Sequence, residues 1–244
     1  MNDGAALGPT FYVRAATTWT ADDGAPQSDN LGRTRVATTR VGRMAAHVVA
    51  ALPTLAELHR TRPCWVVASA HGPLDGVVVA LRSPDTLLRS ETVAPDGPAT
   101  ELAAHLSVRQ TVVSVAAGAQ TVAMALVEAA AWLATGAEDV VVVFAEAELP
   151  RGLQCPLIYE PLAVALHLAA DPGRQDLALL AGPDPQGGAP AVPAGPHAGS
   201  PVASALAIAQ AALRGEAATI ALDAGEGGPT SWCAAVKPVA LGVA

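Results

Sequence analysis

Aromatic side chains are scarce in this chain, and basic residues are outnumbered by acidic ones. Phe, Trp and Tyr make up 3% of 244 residues, which removes the stacking platforms that hold single-stranded nucleic acid. Lys and Arg number 14 against 22 Asp and Glu, a formal net charge of −8. The basic footprint of a nucleic-acid partner is therefore missing. The three cysteines (Cys64, Cys155, Cys233) are far apart and odd in number, with no CxxC. A disulfide framework is not expected, and reduced thiols in the cytoplasm fit this usage. Long hydrophobic runs are absent too. The nearest, Val122–Leu133, contains Glu128 and is too short to cross a bilayer. Asp3 precedes any apolar run, so no secretory signal peptide is expected. Neither GxGxxG nor GxxxxGK[ST] occurs, and no phosphate-binding loop is indicated. Six histidines (His47, His59, His71, His105, His167, His197) form no HxH, HExxH or His/Cys cluster, so neither a metal site nor a cofactor is expected.

What is present is apolar and aliphatic. Apolar residues reach 51% and charged ones only 15%. A chain of this length buries roughly 70–75% of its unfolded surface, enough for one α/β domain over residues 1–244. Its core is expected over about 10–182. A Pro/Gly-rich loop, "PDPQGGAPAVPAGPHAGSP", follows over 183–201, and a C-terminal helix and strands over 202–244.

Strands are predicted at "FYVRAATTW" (11–19), "CWVVASAHG" (64–72), "QTVVSVA" (110–116) and "DVVVVFAEAE" (139–148), the last with an unbroken apolar run, Val140–Ala145, suited to a strand buried on both faces. "PLAVALHLAA" and "DLALLAG" are predicted as an antiparallel hairpin across "DPGRQ". Two more strands are expected in the tail. Helices are predicted at "TTRVGRMAAHVVAALPTLAEL", "LDGVVVALRS", "PATELAAHL", "AQTVAMALVEAAAWLA" and "VASALAIAQAALRG", from apolar spacing and terminal glycines. The sum is a mixed sheet packed with helices.

The chemistry centres on the turn after the 110–116 strand. A strand–turn–helix elbow can present a nucleophile at a helix N-terminus, where the dipole favours negative charge. Here Val115, Ala116, Ala117 and Gly118 occupy the turn, and none can attack. Ser114 stands one position early, without a GxSxG frame. Small residues there are also what a packed βα junction needs. His71, at a strand end, is a candidate general base, or a histidine satisfied by backbone hydrogen bonds. Cys155, on a loop with only Arg151 near it, is a bystander or a second nucleophile candidate. Glu146 and Glu148 form an acid pair, or cap a strand end. The arginines Arg33, Arg35, Arg40 and Arg43 face an acidic partner or form a solvated helix face.

The stretch "SVAAGAQTVAMALVEAAAWLATGAEDVVVVFAEAELP" resembles the nucleophile-elbow region of β-ketoacyl-ACP synthases. "FYVRAATTW", "RVATTRVGRMAAHVVAAL" and "WVVASAHGPLDGVVVAL" are similar, in order, to the β-ketoacyl synthase N-terminal-domain-like proteins, the chain length factor-like group of aryl polyene and related polyketide or fatty-acid pathways. "LSVRQTVVS" is similar to a Ser-Val-His-Asn motif of that group, with Arg109 and Gln110 in place of His-Asn. The resemblance implies a thiolase-like half-fold. It puts the family's cysteine near Val115 or Ala116, so the nucleophile is lost, and it puts the two catalytic histidines in a second half that this chain is too short to contain. It also implies an active β-ketoacyl synthase as heterodimer partner, met through the edge Gln110, Thr111, Val112, Val113 and Ser114. Two expectations compete: a stand-alone acyl-transfer enzyme using His71, Ser114 or Cys155, and a scaffold whose arginines Arg33, Arg35, Arg40 and Arg43 dock an acidic acyl carrier protein.

Overall fold

The computed structural model describes residues 8–26, 39–74, 77–78, 96–106, 110–150, 153, 159–173, 176–184, 196–222 and 232–239. Arg33, Arg35, Arg109, Cys155 and most of the predicted 74–83 helix lie outside the described residues. The elements are β1 (Thr10–Thr20), α1 (Arg40–Ala50), α2 (Leu55–Thr61), β2 (Cys64–Ala68), α3 (Gly97–His105), β3 (Val112–Val115), α4 (Thr121–Ala134), β4 (Asp139–Glu146), β5 (Leu162–Ala169), β6 (Ala178–Asp184), α5 (Ala203–Arg214), β7 (Ala218–Ala221) and β8 (Cys233–Pro238). The strands form one eight-stranded mixed sheet in the order β3-β2-β4-β5-β1-β6-β8-β7. Strands β3, β2 and β4 are parallel; β5, β1, β6, β8 and β7 pair antiparallel with their neighbours.

Strand β4 explains the layering. Every residue of it is buried. Val140, Val142 and Phe144 join one core cluster with α4 and α5, while Val141, Val143 and Ala145 join the other with α1, α2 and α3. Alternation of side chains along a strand sends successive residues to opposite faces, and helices cover both. Each fully buried Val or Leu here contributes roughly 1.5–3 kcal/mol of transfer free energy. The apolar run in the sequence is thus the record of a three-layer α/β/α core.

Helix α1 starts where Thr39 Oγ1 accepts from the Gly42 N–H at 3.0 Å, a side-chain N-cap. The same hydroxyl donates to Glu101 Oε2 of α3 at 2.7 Å. A Cβ at position 42 would stand 1.7 Å from that carboxylate oxygen, so a larger residue there would displace the Glu101 carboxylate from Thr39.

The predicted hairpin does not form. Strand β1 lies between β5 and β6 and pairs with both. Thr20 to Tyr12 face β5, and Val13 to Thr10 face β6, so the chain steps across β1 and continues in the same direction. A bulge between Val13 and Ala15 sits at the step and re-aims a side chain there, as bulges do. Arg14 meets Asp139 at 3.2 Å, and its Nε stands 3.9 Å from Asp176 of the crossing segment. The predicted strand ending at Gly182 also runs on to Asp184 as β6.

Candidate functional site

Because β3, β2 and β4 are parallel, their C-terminal ends open on one edge of the sheet. That is where α/β folds bring loops and functional groups together. The elbow after β3, the turn after β2 and the end of β4 all meet there. Ser69 N–H donates to the Val115 carbonyl at 3.1 Å, joining the first two.

The elbow is built from small residues and one threonine. Gly118 has φ +55°, a left-handed conformation that strains any other side chain. Thr121 Oγ1 accepts from the Ala117 N–H at 3.0 Å and donates to the Gly118 carbonyl at 2.8 Å. This staple carries the chain through a short 3-10 turn into α4. Ala116 and Gly118 are exposed, and so is Ser114 on β3. No side chain from Val115 to Gly118 carries oxygen, nitrogen or sulfur.

Beside the elbow, Glu146 ends β4 with only 1% of its side chain exposed. One carboxylate oxygen accepts from Ala70 N–H at 2.7 Å and from Ser69 Oγ at 3.1 Å. The other lies 2.9 Å from His71 Nδ1 and accepts from the Tyr159 hydroxyl at 3.4 Å. Ser69 Oγ in turn accepts from Gly72 N–H at 3.0 Å and closes the turn. A carboxylate oxygen only accepts, so His71 Nδ1 carries the proton. The Tyr159 oxygen stands 3.1 Å from the same Nδ1, and the two rings stack at 6.3 Å with an interplanar angle of 14°. The hydrogen bond to Glu146 raises the His71 pKa above its ordinary value; burial works against this, and the Glu146 charge adds to it. Burial, then the charge and hydrogen bond of Glu146, hold the Tyr159 hydroxyl protonated well above the usual phenol range.

The structure therefore separates Glu146 from Glu148. Strand β4 stops at Glu146, so alternation no longer relates the two. Glu148 sits outside and pairs with Arg40. His71 is satisfied by a side-chain carboxylate instead of the backbone. Ser69 lay in the "SAHG" turn, while Tyr159, the other member of the cluster, had no motif to mark it. Arg40 and Arg43 both have partners, and the Arg40 guanidinium is held by Glu148. Cys64 and Cys233 are free thiols whose pKa burial raises. Among the described residues there is no group of three His, Cys, Asp or Glu able to hold a metal ion. No described helix is long and apolar enough to cross a membrane.

The fold is thiolase-like, a mixed sheet packed with helices. A ketosynthase (ApeO) in complex with its chain length factor (ApeC) from Xenorhabdus doucetiae is similar at TM-score 0.58 and 18% identity, over 92% of this chain and 98% of that one. The ishigamide ketosynthase/chain length factor is similar at TM-score 0.52 and 16% identity, over 70% of this chain and 65% of that one. 3-Oxoacyl-(acyl carrier protein) synthase III, FabH, from Pseudomonas aeruginosa PAO1 is similar at 0.53 and 13%, over 94% and 98%. At these identities the likeness defines the fold. No curated protein sequence matches the chain significantly. Residues 14–226 match the family described as beta-ketoacyl synthase, N-terminal domain, and the chain belongs to that family.

Proposed function

We propose that this chain is a non-catalytic, chain length factor-like subunit that pairs with an active β-ketoacyl synthase in polyketide- or fatty-acid-type biosynthesis. The observation that carries the reading is the elbow itself. Its strand, its left-handed glycine and its helix are kept, while Val115–Gly118 hold no nucleophile. A turn that retains its shape without its chemistry serves packing and assembly. We take residues 1–244 as one such domain, working without a cofactor.

The interface in this proposal is β3, an edge of the sheet. The carbonyls of Thr111 and Val115 accept from Trp65 and Ser69, so strand alternation turns the backbone groups of Val112 away from β2. An outward edge of this kind is a template for a partner's strand. Gln110, Thr111, Val112, Val113 and Ser114 are its residues. Carrier-protein docking on the arginines is a narrower proposal, since Arg40 is engaged by Glu148.

Co-expression with an active ketosynthase tests the reading. A one-to-one heterodimer is expected in size-exclusion and native mass spectrometry. Val112→Pro, which removes an outward N–H without touching a β2–β3 bond, is expected to weaken it at least tenfold. A chain that stays monomeric beside every active ketosynthase tried, or that forms acyl-enzyme adducts by itself, overturns the proposal.

A further inference from the structure

His105 is a buried ionisable side chain outside every polar cluster described so far. It closes α3 with 5% of its surface exposed, and neither ring nitrogen has a hydrogen-bond partner among the described residues. His167 and His71, by contrast, are each held by a carboxylate. Burying an imidazole without hydrogen bonds costs stability that an apolar residue at the same place would keep. Such a group in a native fold needs a reason.

The place of α3 supplies one. The described elements packed most closely against it are α1, β3 and β2. Leu102 and Leu106 share a core cluster with Trp65 of β2, and Val112 of β3 packs against that cluster. Strand β3 is an edge whose one strand neighbour is β2, so α3 backs the edge that the partner would meet. The titratable and charged groups on these elements are Arg40, Arg43 and His47 of α1, Cys64 of β2 and Glu101 of α3 itself; β3 carries none. None of them hydrogen-bonds His105. Glu101 is engaged by Thr39 and Arg40 by Glu148, while Arg43 and His47 have partners of their own. Burial lowers the His105 pKa. In its seat the ring is neutral, and a proton taken up there would be a buried charge without a partner.

We infer that α3 is an acid-released clamp on the β3 edge: protonation of His105 drives the last turn of α3 out of its seat, withdraws Leu102 and Leu106 from the cluster that Val112 packs against, and loosens the strand. Once out, the imidazolium meets water and the negative end of its own helix. The seated form binds fewer protons than the released form. Seating is therefore complete above the ordinary histidine value of about 6.5 and weakens as pH falls from there towards the lowered folded value. The inference rests on the reading of β3 as the partner-binding edge. It adds regulation to that edge: the subunit pairs at neutral pH and pairs less well in mild acid.

Hydrogen–deuterium exchange on the chain alone, corrected for intrinsic rates, reads the clamp. Between about pH 7.5 and 5.5 the amides of α3 and β3 are expected to lose protection by about tenfold, the most that one proton gives per pH unit below 6.5. Strand β4 is expected to keep its protection. His105→Leu and His105→Gln cannot take up the proton, and in both the loss is expected to vanish; the first buries no polar group and the second keeps one. The affinity for an active ketosynthase, measured over the same range, is expected to fall by a similar factor and to be level in His105→Leu. Comparing both chains against the same ketosynthase cancels the titrations of the partner. Protection at β3 that stays level in the unaltered chain, or that falls equally in both variants, overturns the inference. A heterodimer whose affinity stays level while β3 loosens overturns the regulatory role and leaves the subunit role standing. If no heterodimer forms, the subunit reading fails on its own account, and the exchange experiment decides whether the clamp exists.

Discussion

Two imidazole–carboxylate pairs sit at opposite ends of one strand. Asp139 opens β4 and Glu146 closes it. Asp139 Oδ1 lies 2.9 Å from His167 Nε2, and Glu146 Oε1 lies 2.9 Å from His71 Nδ1. The contact chemistry is the same, but the surroundings differ. His167 is fully buried, and its second nitrogen meets Thr54 Oγ1 at 3.0 Å, so both ring nitrogens are used. Asp139 also holds Arg14 at 3.2 Å. That end of the sheet is a buried polar network that clamps the crossing between β5 and β6, with Arg14 Nε and Asp176 Oδ1 left without a hydrogen bond among the described residues. The other end leaves one imidazole nitrogen without a partner among the described residues, beside an elbow of small residues. A buried histidine with both nitrogens bonded helps specify a fold; one with an open nitrogen at the surface is poised to meet something else.

The comparison breaks most sharply at Asp139. Asp139→Ala leaves Arg14 and His167 without their shared partner in a buried place, and a loss of about 3–5 kcal/mol is expected in urea unfolding. Glu146→Gln comes next. The amide oxygen accepts for only half of the group, so some of the donors from Ser69, Ala70, His71 and Tyr159 lose their acceptor. A loss of about 1.5–3 kcal/mol is expected, with the His71 pKa falling by NMR. Equal losses at both ends, with His71 unmoved, would mean that the two clusters are alike.

Proton titration separates the same clusters by sign. The His71 pKa is raised in the fold, so its stabilisation is complete below its ordinary pKa near 6.5 and is lost as pH rises through the folded value. For Asp139, burial pushes the carboxyl up, but the hydrogen bond and charge of His167, with Arg14 and Thr61, bring it below its ordinary value. Its contribution is present above about pH 3.9 and is lost as pH falls through the folded value. His105, buried with neither ring nitrogen bonded among the described residues, has its pKa lowered by burial and opposes His71, losing stability as pH falls below about 6.5. Thermal midpoints across pH in a His105→Leu background are expected to isolate the His71 limb, and that limb is expected to vanish in His71→Asn.

Much of this architecture was legible in the sequence, and the misses have physical causes. The run Val140–Phe144 marked a strand covered on both faces. The elbow was legible because small residues and a glycine stood between a β-branched strand and an Ala-rich helix. The hairpin was misjudged because β5 and β6 are close in sequence, and nothing local reveals that β1, more than 140 residues earlier in the chain, slides between them. The Arg14 bulge that permits the crossing has no sequence signature of its own. His71 stood out by its place at a strand end, but its partners did not. Glu146 is 75 residues away and Tyr159 is 88. Spacing alone had joined Glu146 to Glu148, which holds only while a strand continues.

Arg40 and Glu148 supply the reference for both ends of β4. They too join a cation to a carboxylate, but with 36% and 41% of their side chains exposed. Water reaches part of each side chain and screens the pair, although Glu148 Oε2 is itself buried without a hydrogen bond among the described residues, and partly exposed ion pairs of this kind contribute about 0–1 kcal/mol. Arg40→Ala is expected to lower stability by less than about 1 kcal/mol, and raised salt is expected to shrink the difference further. A double-mutant cycle with Glu148→Ala measures the coupling directly. A coupling as large as that at Asp139 would show that burial does not set the ranking of the three pairs. A small one fixes the scale on which a buried network, a half-open one and a partly exposed pair differ, by the water each partner gives up.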